Sequence, residues 1–229
     1  MEPKFQRRIV KTADGSHTLE LVGIDEHYHS TFGAVQESIH VFIRNGLYSL
    51  TGKARSVNIL EIGFGTGLNA LLTHIESQKA QLQVFYHALE PFPLKREEYK
   101  VLNYPALLNQ QGLQEVFLKF HESEWNKDIE MAAGFVFRKE HKTLQEIDLK
   151  PCFFDLVYYD AFGPDTQPEL WQQQLFEKVC EAMKPGALLT TYCAKGIVRR
   201  AMRASGLAVE KLPGPLGKRE MTRAVKINC

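Results

Sequence analysis

Residues 57–69, Val-Asn-Ile-Leu-Glu-Ile-Gly-Phe-Gly-Thr-Gly-Leu-Asn, constrain the fold more than any other stretch. The apolar run 57–62 reads as a buried parallel strand, and it stops at Gly63-Phe64-Gly65-Thr66-Gly67. A helical pattern follows over 68–75. Strand, glycine turn and helix together present backbone N–H groups to a nucleotide-like ligand. Glycine permits the sharp turn and the close approach that a Cβ would block. The competing reading is a tight strand–helix turn with no ligand.

Spacing separates the kinds of nucleotide. A dinucleotide fingerprint, G-x-G-x-x-G/A, needs a small third residue, but that position is Leu68. Gly67 comes one residue early, and Glu61 stands two positions before Gly63. This E-x-G-x-G-x-G form resembles the first motif of class I methyltransferases, which bind S-adenosylmethionine. The next apolar run, 84–89, ends in Glu90, where an acid is placed to take ribose hydroxyls.

A chain of 229 residues with 44% hydrophobic content can bury one large α/β core. No run of about 18 apolar residues is present to span a membrane, and the first eight residues lack an apolar leader. Cys152, Cys180, Cys193 and Cys229 form no C-x-x-C pair, so reduced thiols in a cytoplasmic protein are expected. No Cys/His spacing follows His27 and His29, and no metal is expected. The net charge is +1, yet residues 184–229 hold ten Lys/Arg against two acids. Such a tail suits a polyanion, although a merely solvated basic helix would carry the same count.

Read in order, residues 7–22 predict a hairpin around Ala13-Asp14-Gly15-Ser16, and 34–44 a helix. Further helices are expected over 94–102, 168–183 and 196–205. Strands are expected over 129–138, 152–160 and 187–193, with a closing pair over 207–212 and 222–227. The polar stretch 103–128 reads as helix and loop. Alternating strands and helices predict a mostly parallel, doubly wound α/β sheet of Rossmann type. Residues 1–50 are expected to pack as a hairpin-and-helix extension on a main domain over 51–229. Glu61, Glu90 and Asp160 all end strands, so they should share the crevice at the carboxyl edge. At Asp160-Ala161-Phe162-Gly163-Pro164, a carboxylate could bind an ammonium, orient it and help remove its proton. Phe162 could wall a sulfonium or a base. Otherwise Asp160 caps its loop and Phe162 is core.

The whole pattern resembles the methyltransferase half of the MnmC-type tRNA 5-methylaminomethyl-2-thiouridine methyltransferases. The matching segments begin with Tyr28-His29-Ser30, Gly33-Ala34 and Val41-Phe42, then run from Leu60 through the glycines to Asn69. Glu90-x-Phe92-Pro93-Leu94, Asp160-x-Phe162 and Pro168-Glu169-x-Trp171-x-x-x-Leu175-Phe176 follow. Lys184-Pro185-Gly186, Gly196-x-Val198-Arg199-Arg200 and Gly217-Lys218-Arg219-Glu220-Met221 close the match. The resemblance implies methyl transfer from S-adenosylmethionine to the aminomethyl group of 5-aminomethyl-(2-thio)uridine at the tRNA wobble position. It implies that Glu61, Gly63, Phe64, Gly65, Thr66, Gly67, Asn69 and Glu90 hold the cofactor and that Asp160 receives the amine. Tyr28, Phe32 and Phe162 become stacking candidates, Tyr28 being equally a candidate wall of the cofactor pocket. Arg199, Arg200, Lys218 and Arg219 become contacts to the anticodon arm.

The chain departs from the family at Ala161, where glycine is common. It also carries Arg138-Lys139, with Glu140 adjacent, where an adenine-contacting acid usually stands. No second glycine fingerprint for a flavin-dependent oxidase half is present, so other enzymes are expected to make the aminomethyl precursor. Competing readings are a small-molecule methyltransferase or aminopropyltransferase-like enzyme, and a non-catalytic RNA-binding Rossmann protein. A nicotinamide-dependent reductase is disfavoured by Leu68.

Overall fold

The computed structural model describes residues 6–24 and 26–227. The leader reading of residues 1–5 and the thiol of Cys229 lie outside the described residues. An antiparallel hairpin opens the chain, β1 (Arg7–Lys11) against β2 (His17–Leu21), with β3 (Glu26–His27) added to β2. Its turn caps the next helix, α1 (Ala34–Ser38). Ser16 Oγ accepts the Ala34 N–H at 3.1 Å and Asp14 Oδ2 accepts the Gln36 N–H at 3.0 Å. Helix N-termini leave such donors open, and here a distant turn satisfies them. The helix continues as a π-helical turn, Ile39–Arg44.

The main sheet begins with β4 (Ser56–Ile62), followed by α2 (Leu68–Lys79) and β5 (Gln83–Leu89). Three short helices come next, α3 (Arg96–Tyr99), α4 (Tyr104–Leu108) and α5 (Leu113–Glu122). The remaining elements are β6 (Ile129–Ala132), β7 (Phe135–Glu140), β8 (Phe154–Tyr159), α6 (Gln173–Ala182) and β9 (Met183–Thr191). The basic helix α7 (Gly196–Ala204) leads to β10 (Leu207–Pro213) and β11 (Glu220–Lys226). Strand order is β10-β11-β9-β8-β4-β5-β7-β6, with β9, β8, β4, β5 and β7 mutually parallel and the outer strands antiparallel. From β4 the chain builds outward through β5, then returns to build the other way through β8. The switch point therefore lies between β4 and β8, where open α/β sheets bind ligands.

Two apolar clusters cover the sheet. Neighbouring Tyr158 and Tyr159 belong to different clusters, because successive strand side chains point to opposite faces. One cluster gathers Phe42, Tyr86, Phe117, Phe120 and Phe137, and the other Ile62, Tyr159, Trp171 and Phe176.

Several elements differ from the sequence expectation. The single strand over 129–138 is two, because Gly134 turns the chain back at φ 78° and pairs β6 against β7. The helix over 94–102 is one turn, and a new helix starts at Tyr104 with Pro105 in its first turn. The helix over 168–183 is a 3-10 turn, Pro168–Trp171, an extended residue at Gln172, and then α6. Met183 already belongs to β9, and the register against β8 jumps from Phe154–Met183 to Leu156–Leu188. Pro185, without an amide to donate, sits inside that irregularity. The helix over 68–75 runs on to Lys79.

Phe120 is fully buried, with its ring edge-on to Phe137 at 4.8 Å. Phe120→Ala should cost about 3–5 kcal/mol in urea-induced unfolding. A loss below about 1 kcal/mol would show that the α5 contact does not hold this face of the sheet.

Candidate active site

At the carboxyl end of β4 three glycines take left-handed conformations, and all three are demanded by their surroundings. A Cβ on Gly63 (φ 92°) would stand 2.6 Å from the Asp160 carbonyl oxygen. A Cβ on Gly65 (φ 50°) would stand 3.0 Å from the Tyr28 ring. The Asp160 N–H in turn donates to Ile62 O at 3.0 Å, so the ends of β4 and β8 are locked together. A cleft opens over this junction. Residues 63–66, Glu90, Phe92, Asp160, Phe162, Tyr28 and Tyr192 line it.

Three carboxylates meet here in different settings. Glu90 Oε2 accepts the Gly65 N–H at 2.7 Å and Oε1 the Phe92 N–H at 2.7 Å. Burial raises its pKa, partly offset by those two amides. Glu61 is fully buried beneath the cleft, and its Oε1 accepts a hydrogen bond from Asn69 Nδ2 at 3.0 Å. The same amide nitrogen donates to Asp160 Oδ2 at 2.8 Å. One amide thus bridges two carboxylates. Burial, then the neighbouring Asp160, pushes Glu61 well above the usual carboxylate range. Asp160 is raised to about 7, first by burial and next by the charge of Glu37, while Asn69 and Lys218 pull it back.

The walls come from distant parts of the chain. Tyr28 meets Phe162 edge-on at 4.9 Å. Phe162 is fixed on both sides of its peptide, its N–H donating to Gln167 Oε1 at 3.2 Å and its carbonyl accepting from Trp171 Nε1 at 2.8 Å. Arg7 of β1 donates to the carbonyl of Phe92 at 2.6 Å and pairs with Glu98 at 3.0 Å, holding the loop after β5. Thr66 is buried, its hydroxyl 2.8 Å from His29 Nε2 and its carbonyl 3.1 Å from His121 Nε2. Burial lowers His29 to about 4 and His121 to about 3, so both are neutral at pH 7.

The cleft therefore joins Gly63, Phe64, Gly65, Thr66, Glu90, Asp160, Tyr28 and Phe162. The Phe64 ring turns away and packs against Phe137 at 5.6 Å. Glu61, Gly67 and Asn69 lie beneath the lining. Gly67 opens α2 with φ 74°, where a Cβ would meet the Phe64 ring at 2.9 Å. Glu140 pairs with His87 and Lys142, and buried Lys139 donates to the carbonyls of Phe120 and His121, so neither reaches the cleft.

The four basic positions separate. Arg199 is buried, pairs with Glu220 at 2.6 Å and donates to Thr222 Oγ1 and Met221 O at 3.0 and 3.1 Å. It clamps α7 to β11 and is withdrawn from any outside phosphate, which corrects its placement at an RNA surface. Arg200 and Arg219 are exposed and make no ion pair among the described residues. Lys218 pairs with buried Glu37 at 2.8 Å and lies 4.0 Å from the Tyr192 ring centre. Glu37 and Tyr192 are absent from the sequence expectation. The Tyr192 hydroxyl donates to Ala161 O at 2.8 Å, and its place just after β9 is the signal that the strand-end rule offered. Glu37 is an acid on the inward face of α1, a signal in itself. Among the described residues no group of three His, Cys, Asp or Glu could hold a metal, and no helix is long and apolar enough to cross a membrane.

A glycine turn at the switch point, faced by carboxylates ending the neighbouring strands, defines a class I, Rossmann-like methyltransferase fold. The profile of a family described as S-adenosyl-L-methionine-dependent methyltransferase matches residues 107–227. The chain belongs to that family and uses S-adenosylmethionine. It is 32% identical over 212 residues to the tRNA 5-methylaminomethyl-2-thiouridine biosynthesis bifunctional protein MnmC of Ralstonia nicotianae, covering 87% of this chain and 32% of that protein. The MnmC of Hydrogenovibrio crunogenus is 29% identical over 240 residues, covering 96% of this chain and 34% of that one. The chain thus spans about a third of the length of these curated relatives. In three dimensions it is similar to the crystal structure of MNMC2 from Aquifex aeolicus, with TM-score 0.80, 24% identity and 96% and 70% of the two chains covered. The spermidine synthase of Thermotoga maritima shares the fold at TM-score 0.59 and 11% identity, covering 99% and 70%.

Burial raises Asp160, so between about 3.8 and about 7 the folded carboxyl keeps a proton that the unfolded one has lost. Its contribution to stability is present below that window and fades as pH rises through it. Asp160→Asn should therefore become progressively more stable than the parent from pH 4 to pH 8 in thermal melts. A difference independent of pH would contradict the environment assigned to Asp160.

Proposed function

We propose that the chain transfers a methyl group from S-adenosylmethionine to the aminomethyl nitrogen of 5-aminomethyl-(2-thio)uridine at the tRNA wobble position. The relatives named for tRNA 5-methylaminomethyl-2-thiouridine biosynthesis, matched over most of this chain, support the substrate. The observation that carries the chemistry is Asp160, a near-neutral carboxyl held by Asn69 on the rim of the glycine turn. In this reading enzymes that install the aminomethyl group on uridine provide the substrate.

The residues present fit the donor. The buried acceptor Asn69 Oδ1 has no hydrogen-bond partner and, beside the Glu61 carboxyl, matches the ammonium of a methionine moiety. Residues 63–65 bring backbone to the cleft, and Glu90 at the end of β5 takes the ribose hydroxyls. When bound, S-adenosylmethionine supplies an electrophilic methyl on a sulfonium. An alkylamine is protonated at pH 7 and has no lone pair to attack with. Asp160 binds the ammonium, orients it and accepts its proton, a task eased because its pKa is raised toward neutrality. Tyr28 and Phe162, set edge to face, wall the base and exclude water. The aligned amine then needs no further acid–base group, since the displacement releases a neutral thioether.

Methyl-labelled S-adenosylmethionine should modify tRNA from cells lacking this methylation, with 5-methylaminomethyl-(2-thio)uridine as the product nucleoside. Asp160→Asn should lower kcat by about 10²–10⁴-fold and leave cofactor affinity within a few-fold. Methylation of a free polyamine but not of tRNA would contradict the substrate.

A further inference from the structure

Beside the candidate active cleft runs a second groove, between residues 26–32 and the loop before β11. The two share His27, Tyr28, His29 and Tyr192, but Phe32 lines only the second. Phe32 is 52% exposed, an unusual position for a bare aromatic ring. It lies flat against Gly217 (φ 84°), where a Cβ would stand 2.3 Å from Phe32 Cδ2. Glycine thus leaves one face of the ring supported by backbone, and Leu216, 64% exposed, extends the apolar patch. A third cleft adjoins at Tyr192 and is lined by Lys195, Lys218 and Arg219.

The charges around these grooves are sorted. Glu37 is held by Lys218, Glu26 by the Thr166 hydroxyl, and Lys195 by Asp165. Arg219 is exposed and without an ion pair among the described residues. An exposed aromatic face in one groove, with an exposed guanidinium in the adjoining cleft two residues beyond Gly217, suits a splayed ribonucleotide, with its base stacked and its phosphate paired. The base cannot be the one that reacts, because Phe32 stands outside the cleft that contains Asp160.

We infer that the Phe32–Gly217 platform, with Arg219, binds the nucleotide next to the methylated one in an unstacked RNA strand. The inference rests on the tRNA reading and deepens it, assigning a second base subsite whose contacts are separate from the chemistry. Gly217 belongs to it because any side chain there displaces the ring. Arg219 adds attraction that falls with salt, and Phe32 adds stacking that does not.

Fluorescence anisotropy of a labelled anticodon stem–loop tests this without requiring methyl transfer. The parent should bind, Phe32→Ala should weaken binding by about fivefold or more, and Phe32→Trp should restore it. Gly217→Ala should weaken binding in the same way, and Arg219→Gln should flatten the salt dependence. S-adenosylmethionine affinity and melting temperature, measured on every variant, should be unchanged for Phe32→Ala. Unaltered stem–loop affinity in Phe32→Ala, or no stem–loop binding by the parent, would overturn the inference. Stem–loop binding that responds to Phe32 without methylation of tRNA would instead uphold the platform and refute the proposed reaction.

Discussion

A single amide, that of Asn69, holds two carboxyl groups that would otherwise repel each other, Glu61 fully buried and Asp160 half-buried at the cleft. Its nitrogen donates to Glu61 at 3.0 Å and to Asp160 at 2.8 Å, joining the end of β4 to the end of β8. Everything chemical in the cleft depends on that arrangement. Burial and like charge keep Asp160 near neutrality, and Asn69 keeps its carboxyl in place without neutralising it. An Asp salt-bridged to a cation would be too weak a base for an ammonium. Lys218 is close enough to pull the pKa down, but its ammonium is engaged by Glu37, whose charge acts in the opposite sense. The pair leaves the carboxyl poised.

The rest of the fold serves to bring remote segments to this junction. Gly63 lets β4 pass within reach of the Asp160 backbone. The N-terminal segment crosses over and contributes Tyr28 and His29, anchored by Thr18 and Thr66. Arg7 steadies the loop after β5 through the Phe92 carbonyl. At the opposite side, Arg199 fastens α7 to β11 and Lys218 fastens the last loop to α1. The cleft is thereby enclosed by chain segments as far apart as His27 and Tyr192, and it shares its edge with the groove that holds the exposed Phe32.

What could be read from the sequence was what depends on local pattern. Glu61, Glu90 and Asp160 each end an apolar run, and strand ends converge in an open α/β sheet, so their meeting followed from topology. The hairpin at 7–21 and the amphipathic α7 were legible for the same reason. Arg199 and Arg200 show the limit. Adjacent and chemically alike, they differ in burial, Arg199 turned inward to Glu220 and Arg200 exposed. The pairing of Lys218 with Glu37 spans 181 residues, and no local signal announces it. Gly134 divided an apparently continuous strand because alternation alone cannot tell a bend from a run. Gly67 and Asn69 sit in the motif yet beneath the cleft, since a motif marks a turn and not the direction of each side chain.

The most direct test of the account is a crystal structure of the protein with S-adenosylhomocysteine. The ribose hydroxyls should lie on Glu90, the amino-acid end over Glu61 and Asn69, and the sulfur should be directed toward Asp160. A ligand seated elsewhere, with Glu90 still bound to the Gly65 and Phe92 amides and the cleft closed by Tyr28 and Phe162, would contradict it.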